Sequence, residues 1–383
     1  MLTCKQSKFT LSPKVTYLNC AYMSPLLKAV EKAGVKGVRR KRNPAEITAE
    51  DFFTEGELLR SEYAKLIRVA NPKQVVIVPS VSYGISTVAL NLNLSRGQNI
   101  IVAAEQFPSN YYPWQRKCAE FHAELRVVSA PDTLEGRGKQ WNERILEAIN
   151  KNTAAVAIAN THWADGTKFN LEEIRKRTKE VGAKLIVDGT QSVGAMPFDV
   201  EKIQPDALVC AGYKWLLGPY SMGLAYYHES FNGGKPLEES WLNRLNSEDF
   251  TALVQYQADY QPGALRHEVG QHSNFILVPM MMKALEQINK WKPENIQEYC
   301  GAISRNAIHT LKEKGFWIED EEYRGKHLFG IRLPENVDVD KIKASLTKSK
   351  VFVSFRGNAI RVAPNVYNQE KDLNKLVSIL KKA

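Results

Sequence analysis

Two side chains 26 residues apart pose the chemical question: Asp188, at the end of the apolar run Leu185-Ile186-Val187, and Lys214, just after Ala207-Leu208-Val209. A carboxylate and a lysine on neighbouring strand ends are the minimal equipment of pyridoxal-phosphate chemistry. That cofactor draws electrons from a substrate carbon into its ring, best when an acidic side chain keeps the ring nitrogen protonated. It also needs a lysine amine that holds it as an imine and later moves the substrate's α proton. Asp188 is the candidate carboxylate and Lys214 the candidate amine. Each has a plainer reading, a turn-capping aspartate or a solvated lysine. Their pairing after two buried runs, with Trp215 and Gly218-Pro219 following, disfavours both.

Such side chains need a frame. Between about Val75 and Tyr227, short apolar runs alternate with amphipathic stretches, which predicts a mostly parallel sheet sandwiched by helices, an α/β architecture. The runs are Val75–Val78, Ile100–Ala103, Ala155–Ile158, Leu185–Val187 and Ala207–Val209. Ligands of such sheets bind beyond the carboxyl ends of the strands. The segments following these runs, at 79–84, 105–110, 160–166, 188–191 and 212–214, are all polar or aromatic and are expected to converge on one rim. Ser80-Val81-Ser82 precedes a helical run near Gly84, so backbone amides and the Ser82 hydroxyl could bind a phosphate there, or could simply cap the helix. Beyond Met282, a long helical stretch, two short strands around 328–333 and 351–355, and a closing helix from Lys371 to Lys381 predict a smaller α+β domain. The expected division is 16–286 for the large domain, with 1–15 and 287–383 in the small one.

Composition narrows the classes. The chain has 383 residues, 44% of them hydrophobic, and no apolar run approaches the length of a membrane helix. No apolar stretch follows the first charges, so the expected location is the cytoplasm, away from membranes. Five scattered cysteines without a C-x-x-C pair predict reduced thiols and no metal site. His267 and His272 lack the H-E-x-x-H pattern and do not change that. The net charge of +10 and the cluster Arg39-Arg40-Lys41-Arg42 raise a nucleic-acid reading. No interleaved aromatic residues accompany the cluster, so a solvated helix face is the better reading and no nucleic acid is expected.

Taken together, Val187-Asp188-Gly189-Thr190-Gln191-Ser192-Val193-Gly194 and Gly212-Tyr213-Lys214-Trp215-Leu216-Leu217-Gly218-Pro219 resemble the class V aminotransferase family of fold type I pyridoxal-phosphate enzymes. That family includes cysteine desulfurases, kynureninase and isopenicillin N epimerase-like proteins. The resemblance runs from Tyr17-Leu18-Asn19 to Arg361 and Tyr367-Asn368. It implies that Asp188 pairs with the pyridine nitrogen, that Gln191 reaches the phenolic oxygen, and that Val81 and Ser82 form the phosphate loop. Phe107 would stack on the ring, as in kynureninase, where desulfurases use a histidine. Asn110, Asp165, Tyr213 and Trp241 would line the cofactor. Within Arg266–Asn274, Asn274 would reach the phosphate of a second subunit, implying a homodimer with a shared active site. Arg361 would hold the α-carboxylate of an amino-acid substrate, a task suited to a planar fork, with Arg356 a weaker candidate. Asn19 and Tyr22 would join Arg361 at the substrate; Tyr22, Met23 and Trp163 could equally be packing residues.

One departure bears on the reaction. Desulfurases carry a sulfur-accepting cysteine in a loop before the arginine, whereas Ser354–Ala359 is short and has none, so a persulfide relay is not expected. The implied activity is an aminotransferase or a C–S or C–C lyase acting through an external imine, with amino-acid epimerisation the alternative. A non-catalytic pyridoxal-phosphate-binding protein is the competing class, disfavoured because a pure binder needs no carboxylate clamp.

Overall fold

Buried on both faces, a strand of a parallel sheet reads as an unbroken apolar run, and the five runs fold accordingly. In the computed structural model, which describes residues 2–334, 337–357 and 359–382, the strands in chain order are β1 (Thr16–Tyr17), β2 (Val75–Val78), β3 (Asn99–Ala103), β4 (Glu124–Val128), β5 (Thr153–Ala159), β6 (Lys184–Asp188), β7 (Ala207–Ala211), β8 (Gly223–Tyr227), β9 (Phe329–Arg332), β10 (Val351–Phe352), β11 (Ser354–Arg356) and β12 (Ala359–Val362). Seven of them form the central sheet in the order β2-β8-β7-β6-β5-β3-β4. Only β8 runs against its neighbours. The carboxyl ends of β2, β3, β5, β6 and β7 therefore lie along one edge.

Alternate residues of each strand feed the two cores. Val75 and Ile77 of β2 pack into one apolar cluster and Val76 and Val78 into the other. Each such side chain contributes roughly 1.5–3 kcal/mol when fully buried. Strand β4 escaped the apolar-run search because it is an edge strand with only Val128 buried. Helix Val81–Asn91 begins at Val81, earlier than the expected start near Gly84, because Ser80 caps it: its Oγ accepts from Tyr83 N at 3.2 Å and its carbonyl from Gly84 N at 3.2 Å. The helix then lies close on the sheet, since a Cβ at Gly84 would stand 2.6 Å from Val209 Cγ1.

The C-terminal part builds a three-stranded antiparallel sheet, β11-β12-β9. Two helices, Leu277–Trp291 and Pro293–Glu313, lead to it, and helix Glu370–Leu380 closes the chain. The N-terminal segment joins this part of the molecule: β1 pairs with β10 in parallel, and Asn19 bridges to Ala363. That pairing carries Asn19 and Tyr22 to the side of the molecule holding Arg361. The basic cluster is partly paired: Arg40 bonds Asp51 and Glu55 and lies 5.0 Å from the Phe275 ring centroid. No helix among the described residues is long and apolar enough to cross a membrane.

Candidate active site

The strand ends converge on a cavity of about 290 Å³ lined by residues 79–82, Phe107, Ser109, Trp163, Asp188, Thr190, Gln191, Ala211, Tyr213, Lys214 and 220–222. Lys214 sits in the turn after β7 and is only 6% exposed. Its Nζ lies 5.2 Å from the Phe107 ring centroid and 5.5 Å from that of Tyr213. Burial pulls the amine down to about 8; Asp188 opposes the shift, while Arg361 and Arg356 push it further. An amine titrating there is still mostly protonated near pH 7 but has a far larger neutral fraction than an ordinary lysine, and the neutral form is the one that attacks a carbonyl.

Asp188 ends β6 and is buried. Burial raises its carboxyl, opposed by Thr190 and by the Lys214 charge. Thr190 fixes the carboxylate, donating its N–H to Oδ1 at 2.9 Å, while the Thr190 hydroxyl accepts from Ala211 N at 3.2 Å and so ties β6 to β7. Thr190 was not singled out from sequence, although an Asp-x-Thr turn of this kind signals it. On the opposite wall, Ser82 and Ser109 hydroxyls meet at 2.9 Å. The amides of Val81 and Ser82 open the helix, where backbone N–H groups have no intrahelical acceptor. Gln191 is heavily engaged: Nε2 donates to Ala21 O at 3.1 Å and Oε1 accepts from Trp215 Nε1 at 2.8 Å. Its carbonyl accepts from His327 Nε2 at 2.7 Å, and burial holds that imidazole neutral, down to about 4. One proton of the Gln191 amide remains for a ligand.

Arg361, on β12, is 1% exposed. Nη1 donates to Trp163 O at 2.8 Å and Nη2 to Ser354 Oγ at 3.4 Å, leaving Nε without a partner. The Ser354 hydroxyl donates to Asn19 Oδ1 at 2.9 Å, placing Asn19 behind the arginine. Tyr22 is 57% exposed. Cys20 lies under the lysine: its Sγ stands 3.9 Å from Lys214 O, and burial pushes its thiol up to about 12.

Val81, Ser82, Phe107, Asp188, Gln191, Tyr213 and Lys214 thus share one cavity. Asp165, Trp241 and Asn110, expected as cofactor contacts, do not line it, and neither does Asn274, which was expected at the phosphate of a second subunit. Asp165 is turned away into a buried ionic network, its Oδ2 2.9 Å from Arg137 Nη1 and its Oδ1 accepting from the Thr167 hydroxyl at 2.9 Å. Trp241 packs on Phe52 and Phe250 beside a separate cleft. Asn274 caps helix Leu277–Trp291 through bonds from Ile276 N and Leu277 N. Asn110 is fully buried with Oδ1 on Trp114 Nε1 at 2.9 Å. For Asp165 and Trp241 local partners claim the side chain, whereas the Nδ2 of Asn110 is buried without a partner. Trp163, left open as a packing residue, does line the cavity, held by a short bond from Nε1 to Glu105 O and packed edge-on to Phe107 at 5.4 Å.

A flat aromatic aldehyde bearing a phosphate fits this donor set. An acid stands at one end, an amine of lowered pKa and an aromatic face beside it, and a helix start with two serines on the far wall.

The family model described as Aminotransferase class-V matches residues 40–376. The chain is 27% identical over 329 residues to the uncharacterized aminotransferase YcbU of Bacillus subtilis, covering 86% of this chain and 84% of that one. It is 33% identical over 259 residues to a cysteine desulfurase of Shigella sonnei, over 67% of this chain and 61% of that one. Among solved structures, the cystine C-S lyase C-DES in complex with its product cysteine persulfide superposes with a TM-score of 0.84 at 18% identity, over 96% of this chain and 97% of that one. The cysteine desulfurase CsdA of Escherichia coli gives 0.82 at 17%, over 98% and 96%. At these identities the two structures establish a common fold.

Proposed function

The chain belongs to the class-V aminotransferase family and is a pyridoxal-phosphate enzyme, a transferase or a lyase, and from that premise we propose that Lys214 is its cofactor-binding and proton-transferring residue, with Asp188 and Arg361 on either side of the reacting carbon. The observation that carries the proposal is a buried lysine that lines one cavity with a buried carboxylate, while Arg361, outside the lining residues but joined to the cavity's Trp163 at 2.8 Å, has an Nε without a partner.

The cofactor, when bound, supplies an electron sink for the substrate's α-carbon. Asp188, fixed by Thr190, would hold the proton at the ring nitrogen. Phe107 would cover one ring face, and the Val81 and Ser82 amides with the Ser82 and Ser109 hydroxyls would hold the phosphate. Gln191 would donate its remaining amide proton to the phenolic oxygen. Arg361 would grip the α-carboxylate through the donors left by Trp163 and Ser354 and so orient the Cα–H bond. Lys214 Nζ, in the neutral form that its lowered pKa makes accessible, would take that proton and return it. Cys20 is unsuited to accept sulfur, since its thiol is held protonated by burial. A lyase reaction here would release its sulfur or carbon product directly.

The homodimer is part of the same proposal. Asn274 lies off the cavity of its own chain, while Tyr22, Tyr112 and Tyr220 are large exposed side chains, Tyr220 lining the cavity. A monomer in analytical ultracentrifugation would remove it. A cytoplasmic location and a two-part division are proposed on the sequence pattern, the boundary expected at 16 being moved beyond Asn19 because Thr16–Tyr17 pair with β10 and Asn19 bridges to Ala363.

The test is a visible spectrum of the purified protein during titration with amino acids. A cofactor band that responds in the wild type and is absent as a covalent species in Lys214→Ala supports the assignment; undiminished turnover by that variant overturns it. Asp188→Asn should retain bound cofactor yet lose most turnover.

A further inference from the structure

The Arg361 clamp accounts for one anion, yet the same wall carries a second guanidinium. In the β11–β12 register Ser354 faces Arg361 and Arg356 faces Ala359. Directly opposed residues share a sheet face and so do residues two apart on one strand. Arg356 and Arg361 therefore project from the same face of the hairpin as diagonal neighbours, with backbones roughly 7–8 Å apart.

Both arginines then converge on Trp163 from different sides. Arg361 Nη1 holds the Trp163 carbonyl at 2.8 Å, while Arg356 Cζ lies 5.2 Å from the centroid of the Trp163 ring that lines the cavity. Arg356 donates through Nη1 to Phe355 O at 2.7 Å, and its Nε is buried without a partner, like that of Arg361. Among the described residues neither arginine forms an ion pair. Among the described residues no carboxylate is within ion-pair distance of either guanidinium, and burial lowers Arg356. Two guanidiniums that repel each other in partial burial cost stability unless a ligand neutralises them. Burial is the main cause that draws Arg361 down to about 9, and the Arg356 charge adds to it.

One carboxylate satisfies one planar fork. Arg361, deeper and fixed on the Trp163 backbone, takes the α-carboxylate on the reading above. The second cation then has no role with a neutral side chain. We propose that Arg356, stacked on Trp163, forms a second anion subsite, so that the substrate is an α-amino acid carrying a short acidic side chain. This rests on the assignment of Arg361 to the α-carboxylate. Trp163 is the positioning residue of the subsite: it holds the guanidinium by its ring and hands its carbonyl to Arg361.

The experiment measures dissociation constants from the cofactor band for isosteric pairs, aspartate against asparagine and glutamate against glutamine, in the loaded enzyme. The wild type should prefer an acidic member by about tenfold or more, the scale of a charge-assisted hydrogen bond. Arg356→Gln should bring that ratio to within about threefold of unity, and Arg356→Lys should keep part of it. Equal binding of both members in the wild type, or an undiminished ratio in Arg356→Gln, overturns the subsite. A wild-type ratio that falls with added chloride supports it even if Arg356→Gln fails to fold. The underlying reading fails separately, by Arg361→Gln binding both members of each pair as the wild type does.

Discussion

Trp163 and Asp165, two residues apart on the loop after β5, face two buried charge clusters of opposite character. Around Asp165 the charges are satisfied. Arg137 lies 2.9 Å from Oδ2, Thr167 donates both N–H and hydroxyl to Oδ1, and Arg137 also donates to the Thr167 hydroxyl at 3.1 Å. Burial alone would raise this carboxyl, but His162 and Arg137, with the Thr167 N–H, hold it well below the usual carboxylate range. The Asp165 carbonyl accepts from Gly330 N at 2.7 Å, so the network also fastens the loop to β9. Gly166 makes that approach possible, with φ at +82° and a would-be Cβ 2.3 Å from Leu328 O. Around Trp163, by contrast, Arg361, Arg356 and Lys214 lie near one another, and Asp188 is the carboxylate that opposes the lysine charge. A buried pair that is complete serves the fold; a buried excess of one sign awaits a ligand.

Mutations should separate the two clusters. Lys214→Ala removes an unpaired buried cation and should cut turnover by about 10³-fold or more, the upper range of acid–base catalysis with loss of the covalent link added. Its melting temperature should stay near that of the wild type or rise; a collapsed far-UV spectrum would break the comparison. Asp165→Asn should behave in the reverse sense, losing about 3–5 kcal/mol in chemical denaturation because Arg137 is left buried and uncompensated. At a temperature where that variant is folded, its kcat should approach the wild-type value. The carboxyl is depressed in the folded state, so its contribution is complete above about pH 4 and is lost only as pH falls further. Arg361→Gln should lower kcat/KM by about 10²-fold with little change in melting temperature; a large stability loss would move Arg361 to the structural class.

The smallest effect is in pH. The neutral amine is the reactive form, so the rate at which cofactor-free protein takes up pyridoxal phosphate should rise towards pH 8 and level above it. An ordinary lysine would keep rising to about 10.4. A continued rise would place Lys214 in a more solvated setting than its 6% exposure implies.

Much of this was legible in the chain. The five apolar runs became β2, β3, β5, β6 and β7, since burial on both faces leaves an unbroken hydrophobic signature. Lys214, Asp188, Phe107 and Ser82 come to one cavity because each sits at the carboxyl end of its own strand, a position counted along the sequence. Strand β4 left no such signature, since an edge strand with one buried residue alternates too weakly. Asp165 was misplaced for a different reason. It belongs to a loop that reaches the rim, but side chains two apart on a loop can point to opposite sides, and the choice was made by Arg137, 28 positions upstream. Arg356 reads as solvated in sequence, being an arginine beside a turn, and its place on the same face as Arg361 is visible only in the register across from Ala359.

The sequence by itself determined the layered α/β frame, the family and the lysine–aspartate pair, because periodicity and strand-end position are local properties of the chain. Which charges remain unpaired was decided only by tertiary structure. Pairing depends on distances between residues hundreds of positions apart: Asn19 behind Ser354, Trp163 between two arginines, Arg60 on Glu268 at 2.8 Å. Electrostatics acts through space, and in a low-dielectric interior a few ångströms separate a structural ion pair from a binding site.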